Sequence, residues 1–365
     1  MYIFYDIIII ILINNDIMPN LSVTPILNYA INKQASDIHI TEWSYIILRI
    51  NWKLNILEST WKIQKIKINQ ILLELLNENT ELIKFFIKNK DLDFSYISEQ
   101  WITFRVNAYF KMWNISLILR KIEEKARTYD ELQLPLWARN ISKLKNWLVI
   151  VSWPSWSWKS STINSILEDI NKNRSEHIIT LENPVEYKYI NKKSVFSQRN
   201  IWSDTLSLKS WLKSVTREDA NIVMIWEINS KETLEYAISM AESWILVITS
   251  INSSSTWDTI NKLTWFYNND EKDSINLKLW NILKYSIYQK LIDKKDWNWR
   301  ISIFEIMIIN ENIKLLIRSW KMFELKDAIS MSEKNWMISL KSYANMLLEK
   351  WLITKETIEE NFNLE

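Results

Sequence analysis

A globular chain has to turn back on itself many times, and glycine is the residue that takes the positive φ such turns need without steric cost. This sequence of 365 residues contains no glycine and 22 tryptophans, where an ordinary protein has about 7% glycine. Tryptophan also stands where glycine is expected. Asn51-Trp52, Asn146-Trp147, Asp296-Trp297, Asn298-Trp299 and Asn335-Trp336 would each be an Asn-Gly or Asp-Gly turn. The expectation is that the sequence is a standard-code translation of a gene in which UGA encodes glycine. The motifs below are therefore read with glycine at the tryptophan positions.

The segment that benefits most is Val149 to Thr162, VIVSWPSWSWKSST. An apolar run, a loop of small residues and a stretch of helical character make strand, loop and helix. With glycine at Trp153, Trp156 and Trp158 the loop reads G-P-S-G-S-G-K-S, which is the phosphate-binding P-loop at its required spacing. Glycine there lets backbone N–H groups turn inward on phosphates, and the helix N-terminus adds a favourable dipole. The nucleotide-binding set is Trp153, Pro154, Ser155, Trp156, Ser157, Trp158, Lys159, Ser160 and Ser161. Lys159 would contact the β- and γ-phosphates of ATP, and the Ser160 hydroxyl would ligate Mg²⁺.

Two further strand ends carry acids. Ile222 to Ile225 is an apolar strand followed by Trp226-Glu227, the form of a Walker B segment, in which Glu227 would bind Mg²⁺ through water or polarise the attacking water. Leu181-Glu182-Asn183-Pro184-Val185-Glu186 places two carboxylates, Glu182 and Glu186, after another strand, where either could act as general base or orient the group that does. Arg105 and Arg120, on strand-like stretches near the start, are candidates for transition-state charge across a subunit boundary, and surface ion pairing explains them equally well. His39 and His177 read as structural.

The bulk properties narrow the class. With 48% hydrophobic and 24% charged residues the chain can bury sizeable cores. A net charge of +2 gives no electrostatic case for nucleic acid. There is no cysteine, hence no disulfide or thiol chemistry. The apolar run from Ile7 to Ile13 is too short to span a bilayer and lacks a basic leader. The expectation is a soluble cytoplasmic protein without direct membrane insertion, held at a membrane through partners.

In order, the pattern predicts a helix over Thr24–Lys33, a strand over Ala35–Ile40, a hairpin of Ile46–Ile50 and Lys53–Leu57, helices within Lys67–Asn89, and strands over Asp93–Ile97, Trp101–Tyr109 and Ile115–Arg120. A second domain follows, with strands over Leu148–Val151, Ile178–Leu181, Ile222–Ile225, Ile245–Thr249 and Ile301–Ile309, then helices from Asn312 onward. Expected boundaries are 1–122 for the first domain, 123–133 for a charged linker, 134–311 for the ATPase core and 312–365 for a helical region. In open α/β sheets ligands bind beyond the carboxyl ends of the strands, so the P-loop and the acids point to a single site.

Ala35-Ser36-Asp37-Ile38-His39, Phe104-Arg105-Val106-Asn107-Ala108, the P-loop, the Leu181–Glu186 segment, Arg217-Glu218-Asp219, Trp336-Met337 and Lys350-Trp351-Leu352-Ile353 together resemble secretion-type ATPases of the type IV pilus retraction (PilT-like) class over nearly the whole chain. Glycines of that family fall on Trp52, Trp147, Trp153, Trp156, Trp158, Trp226, Trp244, Trp336 and Trp351. The resemblance implies an α/β fold with a small PAS-like N-terminal domain and a RecA-like P-loop NTPase domain with a helical C-terminal part. It also implies a homo-hexameric ring with ATP at subunit boundaries, an inner-membrane platform protein and a paralogous pilus ATPase as partners, and retraction of the pilus. The tetracysteine motif usual in extension ATPases is absent, which favours the retraction side. Departures from the family are Asn183 in its Asp box, Ile245 and Asn252 in place of its His-box histidines, Lys111 as the nearest cation where a third arginine is usual, Ile228-Asn229-Ser230 after Glu227, and Ala328-Ile329-Ser330-Met331-Ser332 in its C-terminal motif. These leave a second reading, an accessory paralogue or scaffold that joins the ring without turnover.

Overall fold

The computed structural model describes residues 22–362 apart from 51–52, 59–61, 123–125, 155–158, 184, 202–203, 206–207, 216, 296–299, 320, 322–323 and 333–335; the side chains at 136, 137, 159, 160, 208 and 210 are also outside the description. The Ile7–Ile13 run, the Asn51-Trp52 turn, the tip of the P-loop, Pro184 and the turns at Trp297 and Trp299 therefore lie outside the described residues. The chain divides into two units, Met1–Glu124 and Lys125–Glu365.

The first unit runs α1 (Thr24–Asn32), β1 (Asp37–Thr41), β2 (Ile47–Ile50), β3 (Lys53–Ile56), α2 (Lys65–Leu75), α3 (Thr80–Asn89), β4 (Asp91–Ile97), β5 (Thr103–Lys111) and β6 (Asn114–Lys121). Its six-stranded sheet has the order β3-β2-β1-β6-β5-β4, with neighbours antiparallel. Alternation sorts the residues into two faces. Ile38, Ile40, Leu48, Phe104, Val106, Ala108, Leu117 and Leu119 join Leu27, Ile68, Ile71, Leu72 and Phe86 from the helices in one core. The other face carries Asp37, Arg49, Arg105, Asn107 and Arg120. Local chemistry sets the helix limits: Asn79 caps α3, its side chain accepting from Glu81 N (3.0 Å) and Leu82 N (3.2 Å), and Lys90 ends it with φ 66.

The second unit opens with a 3₁₀ helix (Leu136–Lys143) and continues β7 (Trp147–Trp153), α4 (Lys159–Asn173), β8 (His177–Glu182), β9 (Val195–Asn200), α5 (Leu208–Val215), β10 (Ile222–Ile225), α6 (Lys231–Glu242), β11 (Leu246–Asn252), α7 (Thr256–Trp265), α8 (Lys272–Ile282), β12 (Leu283–Asp293), β13 (Arg300–Ile308), α9 (Glu311–Arg318), α10 (Glu324–Met331), α11 (Leu340–Glu349) and α12 (Lys355–Phe362). The sheet order is β13-β12-β7-β11-β10-β8-β9. Only the β12–β13 pair is antiparallel; the rest run parallel.

Both faces of this sheet are covered, which is why its strands read as unbroken apolar runs. Leu148, Ile150, Ile179, Leu181, Val223, Ile225 and Val247 pack with α5 to α10. Val149, Val151, Ile178, Ile222, Met224, Leu246 and Ile248 pack with α4 and α11, and with Ala126, Tyr129, Leu132 and Leu134. Two strands, β9 and β12, were not expected from the sequence. Among the described residues no helix is long and apolar enough to cross a membrane.

Tryptophan is concentrated in backbone conformations that disfavour it. Positive φ occurs at Trp43 (60°), Trp101 (62°), Trp113 (71°), Trp147 (103°), Trp244 (65°), Trp336 (70°) and Trp351 (58°), half of the fourteen such residues described. Six of the seven, all but Trp147, expose at least 53% of their surface, so burial of the indole does not offset the backbone cost. In the interior, the Nε1 atoms of Trp153, Trp211 and Trp280 are buried without a partner, where tryptophan N–H groups normally find one.

Candidate functional site

The parallel register brings four chemistry-bearing strand ends to the carboxyl edge of the second sheet. β7 delivers the chain to the P-loop at Trp153, and α4 leaves it at Lys159. Asn252, the last residue of β11, is the register partner of Trp153. Glu227 follows β10 and Glu182 ends β8, with Ile225 paired to Leu181 and to Thr249. Across the sheet the order at this edge is P-loop, Asn252, Glu227, Glu182.

Buried hydroxyl and amide groups fix the P-loop's two flanks. Ser253 N bonds Trp153 O (3.1 Å), Thr259 Oγ1 donates to Ser152 Oγ (2.9 Å), and Ser152 Oγ donates to Ile287 O (3.2 Å). On α4, Thr162 Oγ1 donates to Gln289 Oε1 at 2.5 Å, and Asn164 Oδ1 accepts from the Tyr189 hydroxyl at 2.8 Å. The start of α7 is held as firmly: Glu305 Oε1 accepts from Thr256 N (2.8 Å) and Thr256 Oγ1 (2.7 Å). Satisfied networks of this kind rigidify the elements that position a site.

Glu227 is half-buried. Its Oε1 accepts from Asn252 Nδ2 at 2.5 Å, and its neighbours are anchored on both sides, Trp226 N to Leu181 O (3.0 Å) and Ile228 N to Ser250 O (2.8 Å).

Glu182 has a different environment. It is 2% exposed, and both oxygens are engaged: Oε1 by Thr180 Oγ1 (2.8 Å) and Gln198 Nε2 (3.3 Å), Oε2 by Glu186 N (3.0 Å). Burial pushes its carboxyl up to about 7, against the opposing pull of the Glu186 N–H, Thr180 and Gln198 hydrogen bonds. The residue thus both holds the backbone at Glu186 and can hold a proton near neutrality. Glu186, half-buried, offers its N–H to Glu182.

Arg105 and Arg120 lie on the polar face of the first unit's sheet, where they are register partners. Arg120 Nε binds Asp37 Oδ1 at 2.7 Å and Arg49 Nε approaches Asp37 Oδ2 at 3.4 Å, while Arg105 pairs with Asp93 at 3.4 Å. Asp37 and Arg49 are opposite each other, so two arginines, Arg49 and Arg120, flank a carboxylate that is 5% exposed, and Arg105 stands next to Arg120 in the register. Burial outweighs the nearby Asp37 charge at His39 and holds its imidazole below the usual range.

Residues 14–346 match the model of the type II/IV secretion system protein family. This chain belongs to that family. It is 28% identical over 340 residues to the type IV pilus retraction ATPase PilT of Pseudomonas aeruginosa, covering 93% of this chain and 98% of that protein, and 25% identical to the type IV pilus ATPase PilU of the same organism, covering 91% and 86%. A crystal structure of the pilus retraction motor PilT with bound ADP superposes with a TM-score of 0.82 at 27% identity, covering 93% of this chain and 96% of that one. The ATPase DotB of Legionella pneumophila shares the fold, with a TM-score of 0.79 at 20% identity over 95% and 98%. The mixed α/β fold expected from the sequence, an N-terminal domain plus a RecA-like domain, is the one observed.

Within this secretion ATPase fold, three groups at or near the candidate residues were not legible in the sequence. Gln198 and Asn200 sit on β9, a polar edge strand; Gln198 Nε2 also donates to Tyr187 O (2.6 Å), and Asn200 Oδ1 accepts from Val185 N (2.6 Å). Arg49 becomes visible only once β2 is set against β1.

Proposed function

We propose that this chain is the ATP-hydrolysing motor of a type IV pilus machinery, driving pilus retraction and so twitching motility. The observation that carries this reading is the convergence of the strand–loop–helix at Trp153–Lys159, Glu227 and Glu182 on one edge of a parallel sheet, in a chain that aligns with a retraction ATPase from end to end of that relative. Backbone N–H groups of the loop and Lys159 would hold the phosphates of ATP. Ser160 and Glu227 fit a hard divalent cation, since hydroxyl and carboxylate oxygens are the donors Mg²⁺ takes; when bound, Mg²⁺ neutralises charge on the phosphates. Glu227 orients the attacking water, with Glu182 and Glu186 shaping the far side of the cleft. Arg105 and Arg120 would be presented to a neighbouring subunit's nucleotide in a hexameric ring on the cytoplasmic face of the inner membrane, docked on a platform protein.

This reading requires glycine at the tryptophan positions, because indoles at 156 and 158, inside the loop, would fill the space that phosphates need. Two independent observations support it. Trp147, Trp244, Trp336 and Trp351 stand at glycine positions of the family and also have positive φ, and buried Trp153 has an unpartnered indole N–H.

Lys159→Ala tests the function. Turnover of ATP by the purified protein should fall by at least about a hundredfold, as expected for loss of a principal phosphate contact, and cells carrying the variant should lose twitching while the ring still assembles. Equal turnover in wild type and variant would leave the scaffold reading.

A further inference from the structure

Family resemblance assigns no role to Asn252, which stands where retraction ATPases have a histidine. The geometry points to Asn252 as a positioning residue that holds Glu227 and supplies an acceptor to the attacking water, an inference that rests on the ATPase reading.

Three features carry it. The 2.5 Å bond from Asn252 Nδ2 to Glu227 Oε1 fixes one carboxylate oxygen. The same side chain's Oδ1 is buried with no partner. A buried acceptor left unpaired costs about 1–3 kcal/mol, and this one lies at the edge where Glu227 and the P-loop meet. A water O–H would satisfy it. The backbone is not free to relax the amide elsewhere: Lys262 Nζ donates to Asn252 O at 3.0 Å and is itself held by Asp258 at 3.3 Å, while Asn252 is locked in register with Trp153. An amide is both donor and acceptor. It can therefore grip the carboxylate with one atom and the water with the other, which fixes the water's distance from the base without titrating in the working pH range.

The test compares Asn252→Asp, Asn252→Ala and Asn252→His in the glycine-containing chain, with Lys159→Ala as reference. Asn252→Asp keeps shape and acceptor and replaces the donor with a like charge. kcat should fall about 10- to 100-fold for Asp and Ala, the scale expected when a reacting group is slightly misplaced, with KM and fluorescent-ADP affinity changed by less than about threefold. Asn252→His restores an N–H donor and should recover most of kcat. A purely structural role would instead lower the melting temperature and ADP affinity together and gain nothing from histidine. Asp and Ala variants with wild-type kcat, or with raised kcat because the amide restrains Glu227 from its task, would overturn the proposal. A wild-type chain no more active than Lys159→Ala would overturn it together with the ATPase reading.

Discussion

Glu182 and Glu227 show how differently two acids at one sheet edge can be set. Glu227 is half-buried and meets an amide; Glu182 is enclosed, and its carboxyl is pushed up to about 7. An acid whose folded value lies above its unfolded one, 4.5 here, binds a proton in the native state first, so stability declines as pH rises from about 4.5 towards 7 and is level above that. The span corresponds to on the order of 3 kcal/mol. Glu182→Gln should remove that decline: melting temperatures measured from pH 5 to 8 should converge with wild type at low pH and exceed it at pH 8. Parallel curves for the two proteins would show that Glu182 does not titrate in this window. The sequence placed both acids at strand ends, because an apolar run ending in a carboxylate is a local pattern. It did not separate their roles, because burial depends on β9, which lies thirteen residues further along the chain.

At the scale of elements, the strands legible in the sequence were those buried on both faces or cleanly alternating, such as β7, β10 and β5. Val195–Asn200, VFSQRN, has neither pattern, since β9 is an edge strand of mostly half-buried residues. Leu283–Asp293 mixes lysines and tyrosines with its apolar residues, and its burial comes from packing between β7 and β13. Yet β9 holds the Glu182–Tyr189 segment through Gln198 and Asn200, and β12 anchors α4 through Gln289. Gln198→Ala should leave Glu182 Oε1, Tyr189 N and Tyr187 O each short of one partner. The expected loss is about 1–3 kcal/mol, with faster amide exchange confined to residues 185–189 by hydrogen-exchange mass spectrometry. Unchanged exchange in that segment would mean that the loop is held otherwise. Within residues 123–133, read as a charged linker, Ala126, Tyr129 and Leu132 pack in the core of the second unit, apolar positions that are hard to see among charges.

For the whole molecule the deciding quantity is the cost of tryptophan. Seven left-handed tryptophans at roughly 1 kcal/mol each sum to about 7 kcal/mol, comparable with the ~5–15 kcal/mol that holds a native domain together. A chain made with glycine at Trp43, Trp101, Trp113, Trp147, Trp244, Trp336 and Trp351 should therefore melt well above the same chain made with tryptophan; equal melting temperatures would remove this argument. The glycine reading also makes the nucleotide site possible, so fold stability and function rest on the same residues. The direct measurement is the mass of the tryptic peptide Asn146–Lys159 from the native protein, which spans positions 147, 153, 156 and 158. Glycine at all four is the predicted result and would give the P-loop its bare backbone. Tryptophan at all four would contradict the account, leaving a secretion ATPase fold whose phosphate loop is filled by its own side chains.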